Sequence, residues 1–406
     1  MYTDQLKLDL DKTLTAYGSN LNARNIADSE AWSSIDEVLR NPLVSNEFWR
    51  KELVYEEYDR ANIRPNYPEQ DSPNEAVGFV ILSRKHWWPG DRTTRLHEFG
   101  PRLKRSLELG GIPAELCYLE DFAADSGSLI SSRANVTADR VSLLLDLDCP
   151  PYLVINEDVG LVMQALRPLF HKVIPYILDY WRIKNWLFKS LSNYSELYDF
   201  LWLPAVVPPP RDETGNLVTS FPLPLGLTQS EYERLRTKTS IARGVGFVGN
   251  VEYTNISRLF WLLELSKKVQ VSIDFSDRTS SAQCPVADYI RYLDRLTNPH
   301  IVLNLSSRSD HSKTVTGRTV EAIALGKPLI QQDFVAANKS MFSPGEHFEV
   351  FRYPSDVERI MASAEALGQK SVIGMQLYDV AYREANLARH FRYLIENVDH
   401  ICGTNF

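Results

Sequence analysis

Between residues 244 and 367 short apolar runs alternate with helix-like stretches so regularly that few architectures can hold the chain. GVGFVG (244–249) reads as a strand and NISRLFWLLELSKK (255–268) as an amphipathic helix. VQVSIDF (269–275) is the next strand. PVADYIRYLDRL (285–296) follows as a helix with proline in its first turn, where no N–H is needed. IVLNLS (301–306) is a strand, and GRTVEAIAL (317–325) a helix stopped by Gly326. Then come PLIQQ (328–332), a short helix, FEVF (348–351) and the helix PSDVERIMASAEAL (354–367), with one or two closing helices over about 371–400. Apolar runs this short are strands buried on both faces, so the pattern predicts a parallel sheet covered by helices, a doubly wound α/β domain.

A similar order starts earlier. AVGFVILS (76–83) reads as a strand, a helix runs from about Thr94 to Leu109 and ends at Gly110 and Gly111, and AELCYLED (114–121) and RVSLLLDL (140–147) are further strands. Residues 159–205 mix aromatic-rich helix and strand signals without a clean parse. Strand, helix, strand in this order predicts a second parallel sheet. Upstream, Trp32, Ile35, Val38 and Leu39 fall at helical spacing, and Pro65, Pro68 and Pro73 break the chain. The proline-rich stretch 204–224 reads as an interdomain hinge. The expected division is an N-terminal helical extension (1–75), a Rossmann-like domain (76–220), a second Rossmann-like domain (221–385) and a C-terminal helix (386–406).

Composition excludes several classes. With 44% hydrophobic and 24% charged residues the chain is ordinary globular protein. Lys and Arg total 44 against 52 Asp and Glu, a net charge of −8, which argues against general binding to nucleic-acid backbones. Cys117, Cys149, Cys284 and Cys402 lie far apart with no C-x-x-C pair, giving neither a zinc frame nor a disulfide scaffold. The start MYTDQLKLDLDKTL lacks the order of a signal peptide, and no apolar run reaches the ~18 residues of a membrane span. A cytoplasmic protein in a reducing compartment, without a transmembrane segment, is expected. His300, His311, His347 and His390 are dispersed with no H-x-x-x-H pair, and G-x-S-x-G is absent, which disfavours zinc hydrolases and α/β-hydrolases.

In open α/β sheets ligands bind beyond the carboxyl ends of the strands. Two such loops stand out. In GFVGN (246–250), followed by Arg258, Gly246 and Gly249 allow close backbone approach, and Asn250 opens the loop towards a helix start. The fingerprint G-x-G-x-x-G is absent, so a plain strand-to-turn glycine is the competing reading. The loop 306–328 places Lys313 and Arg318 at a helix start, with Thr316 as N-cap and Gly317 next to it. Arg318 and Glu321, three apart, share a helical face. A cation for a diphosphate and a carboxylate for vicinal sugar hydroxyls would then sit together, as a nucleotide-sugar site requires. An exposed Arg–Glu surface pair fits the spacing equally well.

GFVGN with Arg258, VLNLSS, GRTVEAIALGKPLI, FSPGEHFEVF (342–351) and YREANLARHFRYL together resemble the C-terminal half of the two-Rossmann (GT-B) glycosyltransferases. FPLPLGL (221–227) is similar to the stretch by which those enzymes enter their hinge. The resemblance, from Gly244 to about Phe391, is to the glycosyl transferases group 1 superfamily and most closely to its spore-maturation-protein-like branch. It implies two Rossmann-like domains facing across a cleft, and hexosyl transfer from a nucleotide-sugar donor without metal or cofactor. By the same resemblance Glu321 holds the donor ribose, while Arg258 and, by position, Lys313 or Arg318 face the diphosphate. The wider superfamily often carries a glutamate seven positions before Glu321. Here that position is Thr314, which leaves inversion or retention open. The N-terminal half would supply the acceptor site, for a cell-surface glycan, lipid-linked saccharide, protein or small metabolite.

His86 and Asp91, in the first strand-to-helix loop, are the candidate bases for an inverting reaction. Trp87 and Trp88 either stack on an acceptor sugar or pack in the core, and His97 reads as structural. LDLD (145–148) mimics the D-x-D motif of metal-dependent transferases through Asp146 and Asp148, but the two-half layout weighs against a metal. The rivals are an epimerase or phosphorylase of the same layout, and a catalytically degenerate sugar-nucleotide-binding or scaffold protein.

Overall fold

The computed structural model describes residues 76–83, 99–118, 127–146, 167–176, 201–203, 217–219, 225–249, 256–275, 285–305, 317–332, 342–383 and 391. They group into two compact units. The first takes in 76–230, 285–290 and the chain from Tyr378 on; the second takes in 231–275 and 291–377. The expected extension over 1–75 lies outside the described residues, as does the segment 386–406 apart from Phe391.

The first unit is a six-stranded parallel sheet of β1 (Val77–Ser83), β2 (Ala114–Tyr118), β3 (Arg140–Asp146), β4 (Val173–Tyr176), β5 (Leu201–Leu203) and β6 (Leu217–Thr219). Its order is β2-β1-β3-β4-β5-β6. Every residue of β1 is buried, as an unbroken apolar run in a parallel sheet must be. Helices α1 (Phe99–Leu109) and α2 (Gly127–Asn135) flank it, α1 turning Phe99, Leu103 and Leu107 inward. Phe391 meets the ring of Phe79 edge-on, with centroids 5.3 Å apart, and so packs on β1. The proline-rich stretch 204–224, read as a hinge, supplies β6 instead of serving only as a connector. A three-residue edge strand needs few ladder hydrogen bonds and is the kind that tolerates nearby proline.

The second unit carries β7 (Ala242–Gly249), β8 (Val271–Phe275), β9 (Pro299–Asn304), β10 (Leu329–Gln332) and β11 (Glu349–Phe351), all parallel, in the order β11-β10-β9-β7-β8. The helices that follow in the chain are α3 (Gln229–Arg236), α4 (Ile256–Ser266), α5 (Pro285–Leu296), α6 (Gly317–Ala324), α7 (Pro354–Met361) and α8 (Ala364–Tyr382). Trp261 of α4 and Val357 of α7 pack with Phe247, Leu303 and Ile330 in one buried cluster. Right-handed crossovers put α5 and α6 on the opposite face. The stretch 354–367, read as one helix, is two. Ala362 keeps helical angles, but its N–H bonds to Glu358 O and Ile360 O, and this tightened turn ends α7 before α8 begins.

Both sheets are doubly wound, as the alternation predicts. Each reverses direction once, between β1 and β3 in the first unit and between β7 and β9 in the second. That reversal opens a crevice at the carboxyl ends of the two central strands.

Candidate functional site

In the second unit the reversal point is bounded by Gly249, the last residue of β7, and Asn304, the last of β9. Arg318, the second residue of α6, lies over it. Its Nη1 donates to Asn304 Oδ1 at 3.0 Å, and its guanidinium sits 4.5 Å from the centroid of Phe247. A Cβ on Gly249 would run into Arg318 Nη2. Glycine is therefore required there to admit a guanidinium. Arg258, near the start of α4, approaches the same Phe247 ring at 6.0 Å. Both arginines are buried, 8% and 9% exposed. Two guanidinium groups at the strand ends, close to one aromatic ring, are the kind of donor set that can hold an anion.

Arg318 is held in turn by a buried polar network. Asn304 Nδ2 donates to Thr319 Oγ1 at 2.9 Å and to Gln331 Oε1 at 3.2 Å, and the Thr319 hydroxyl donates to the same Gln331 oxygen. Because the guanidinium can only donate, it fixes which end of the Asn304 amide faces it, and the other bonds follow in one direction. The next residue, Gln332, points to the other face of β10. Its amide is 1% exposed, and neither of its polar atoms has a partner among the described residues.

Glu321 lies one turn beyond Arg318 but turns to a different neighbour. Its Oε2 accepts a hydrogen bond from Tyr292 OH of α5 at 2.9 Å, and the side chain is buried. Helix α5 is tied down beside Tyr292. Arg295 Nε donates to both Asp274 oxygens at 2.9 Å, and Asp294 pairs with Arg234 at 2.8 Å and Lys238 at 2.6 Å. Burial pushes the Asp294 carboxyl up, but the hydrogen bonds and charges of those two cations outweigh it and hold it below the usual carboxylate value. Lys327, which precedes β10, is buried with its Nζ near Lys238 O and Ser240 Oγ at 3.3 and 3.4 Å. Burial, and then Lys238, lower its pKa.

Of the residues singled out from sequence, the structure brings Gly249, Arg258 and Arg318 together around Phe247, and Gly317 opens α6. Glu321 is on the same helix and engages α5. His86, Asp91, Asn250, Lys313 and Thr316 lie outside the described residues, as do Trp87, Trp88, His97, Thr314 and Asp148. Asp146 ends β3 of the first unit. Sequence reading passed over Phe247, Tyr292, Gln331 and Thr319. Asn304 lies inside VLNLSS, one of the stretches that carry the resemblance, but was not singled out. Nothing marked Tyr292, whose partner on the other helix lies 29 residues further along the chain.

Residues 274–395 match the glycosyl transferase-like family model. The matched segment contains α5, β9, α6 and β10, and with them Tyr292, Asn304, Arg318 and Glu321, while Gly249 and Arg258 precede it. The likeness to glycosyl transferases is thus confined to this segment, most of it on the second sheet. No curated protein matches the chain. Among the described residues no helix is long and apolar enough to cross a membrane.

Proposed function

We propose that the protein transfers a hexosyl group from a nucleotide-sugar donor to an acceptor hydroxyl. The observation that carries this is the pair of buried guanidinium groups at the β7/β9 reversal, one of them a turn from Glu321 and inside the glycosyl transferase-like segment. In this reading Arg318 and Arg258 face the donor diphosphate, with Gly249, Asn250, Lys313, Thr316 and Gly317 shaping the same loops, and Glu321 accepts from the ribose hydroxyls. In the transfer, the bond from the anomeric carbon to the diphosphate oxygen breaks and its electrons stay with the diphosphate. The acceptor oxygen bonds to that carbon and gives up its proton. The guanidinium groups stabilise the charge that grows on the leaving oxygen, a role that needs no metal ion. The doubly wound first unit supports a GT-B arrangement of the spore-maturation-protein-like kind, with the acceptor on the first unit's side and His86 or Asp91 taking the proton if configuration inverts. The acceptor is a glycan, lipid-linked saccharide, protein or small metabolite, and the setting is the cytoplasm.

The test is a thermal-shift panel of nucleotide sugars followed by calorimetry and a transfer assay. Glu321→Ala should weaken nucleotide binding by about 1.5–3 kcal/mol, the loss of a charged hydrogen bond. Unchanged affinity removes Glu321 from the donor site. Binding without transfer or donor hydrolysis replaces the enzyme with a sugar-nucleotide-binding or scaffold protein.

A further inference from the structure

We propose that Tyr292 is a positioning residue for the donor ribose, acting through Glu321; the proposal rests on the reading that Glu321 accepts from that ribose. A glutamate reaches its target through three rotatable bonds, and a carboxylate that must meet two vicinal hydroxyls has to present its oxygens in one plane. The Tyr292 hydroxyl meets Glu321 Oε2 at 2.9 Å and so selects one orientation of that plane.

Both ends of this hydrogen bond are fixed from behind. On α5, Leu293 and Leu296 are fully buried, and Arg295 is clamped to Asp274 at the end of β8. The tyrosine ring has only two torsions, so a seated helix delivers its hydroxyl to one place. On α6, Thr319 is locked into the Asn304 network two residues before Glu321. Neither helix has to reorganise when a donor arrives, and a carboxylate held in advance binds more tightly than one ordered at binding. The hydroxyl donates to Oε2 and leaves the carboxylate charged, so Glu321 stays an acceptor for hydroxyl groups.

The experiment uses the full chain and calorimetric titration with UDP, GDP, ADP and CDP, each beside its 2′,3′-dideoxy counterpart. The readout is the affinity ratio between the best-bound nucleoside diphosphate and its dideoxy form. Tyr292→Phe keeps the ring and removes the hydroxyl, and it should narrow that ratio roughly three- to tenfold while dideoxy affinity holds. Glu321→Gln, measured alongside, should narrow it too, and adding Tyr292→Phe to it should narrow it no further. A wild-type ratio in Tyr292→Phe, with Glu321→Gln narrowed, overturns the proposal and leaves the donor reading standing. Equal losses for both nucleotides overturn it in favour of a merely structural bond. Wild-type ratios in both single variants overturn the ribose role of Glu321, and the proposal with it.

Discussion

Gly249 and Arg318 are coupled by space. The guanidinium occupies the position a Cβ would take, and it is anchored on the far side by Asn304. An alanine at 249 is admitted only by moving the Arg318 guanidinium, and that breaks its bond to a fully buried asparagine. Gly249→Ala is therefore expected to shift the guanidinium off the Phe247 face. Nucleoside diphosphate affinity should fall by about 1.5–3 kcal/mol, the range for a hydrogen bond to a charged group. Calorimetry on the variant checks it, and Gly246→Ala is no control because Gly246 is crowded by Pro299. The same residue pair shows what spacing could and could not reveal. Gly249 was visible as a glycine ending a strand, but its reason lies 69 positions away in sequence, as 318 minus 249 gives.

At the level of elements, the turn from α6 into β10 joins a readable stop to an unreadable burial. Gly326 has φ 65°, and the N–H groups of Gly326 and Lys327 bond back to Ile323 O and Ala322 O, closing the helix as its glycine announces. Lys327 then goes into the interior, where burial and the nearby Lys238 charge oppose its protonated form. A base whose folded pKa is depressed burdens the fold while it is protonated, and the burden eases as pH rises through that value towards the ordinary lysine range. Lys327→Met should accordingly raise the thermal midpoint at neutral pH and raise it less in alkaline buffer, by calorimetric scans at both. Helix α7 shows the opposite sign. Burial raises the Asp356 carboxyl, but the backbone N–H groups of Tyr353 and Arg352, at 2.9 and 3.0 Å, and Arg359 hold it below the usual value. Its contribution is present above the ordinary carboxylate pKa and disappears as pH falls through the depressed one. Wild-type stability should drop over that acid range, and Asp356→Asn, already without the charge, should drop less.

For the whole molecule, the proposed function divides the labour between the two doubly wound units, with the donor groups on the second and the proton acceptor on the first. Asp91→Asn and His86→Ala, in the segment that follows β1, are each to be assayed for turnover and donor binding. The true base loses turnover by ~10²-fold or more with donor affinity intact. Near-normal turnover in both places the base elsewhere or signals retention. Since two arginines are asked to meet the diphosphate charge, transfer should also survive excess EDTA; loss with recovery on adding Mn²⁺ would return Asp146 and Asp148 as ligands. The sequence by itself determined the class of both sheets and the strands and helices of the second unit from β7 to β10, because strand and helix periodicities are local and the helix stops are single residues such as Gly326. It also singled out Gly249, Arg258, Arg318 and Glu321 from loop position and resemblance. It could not deliver β4, β5 and β6, whose three or four residues are too few to show a period. Only the tertiary structure decided that β7 lies beside β9 with β8 outside, and hence that Gly249, Asn304 and Arg318 meet and that Tyr292 reaches Glu321. Those contacts depend on the order in which strands pair, a long-range packing outcome that no stretch of sequence records locally.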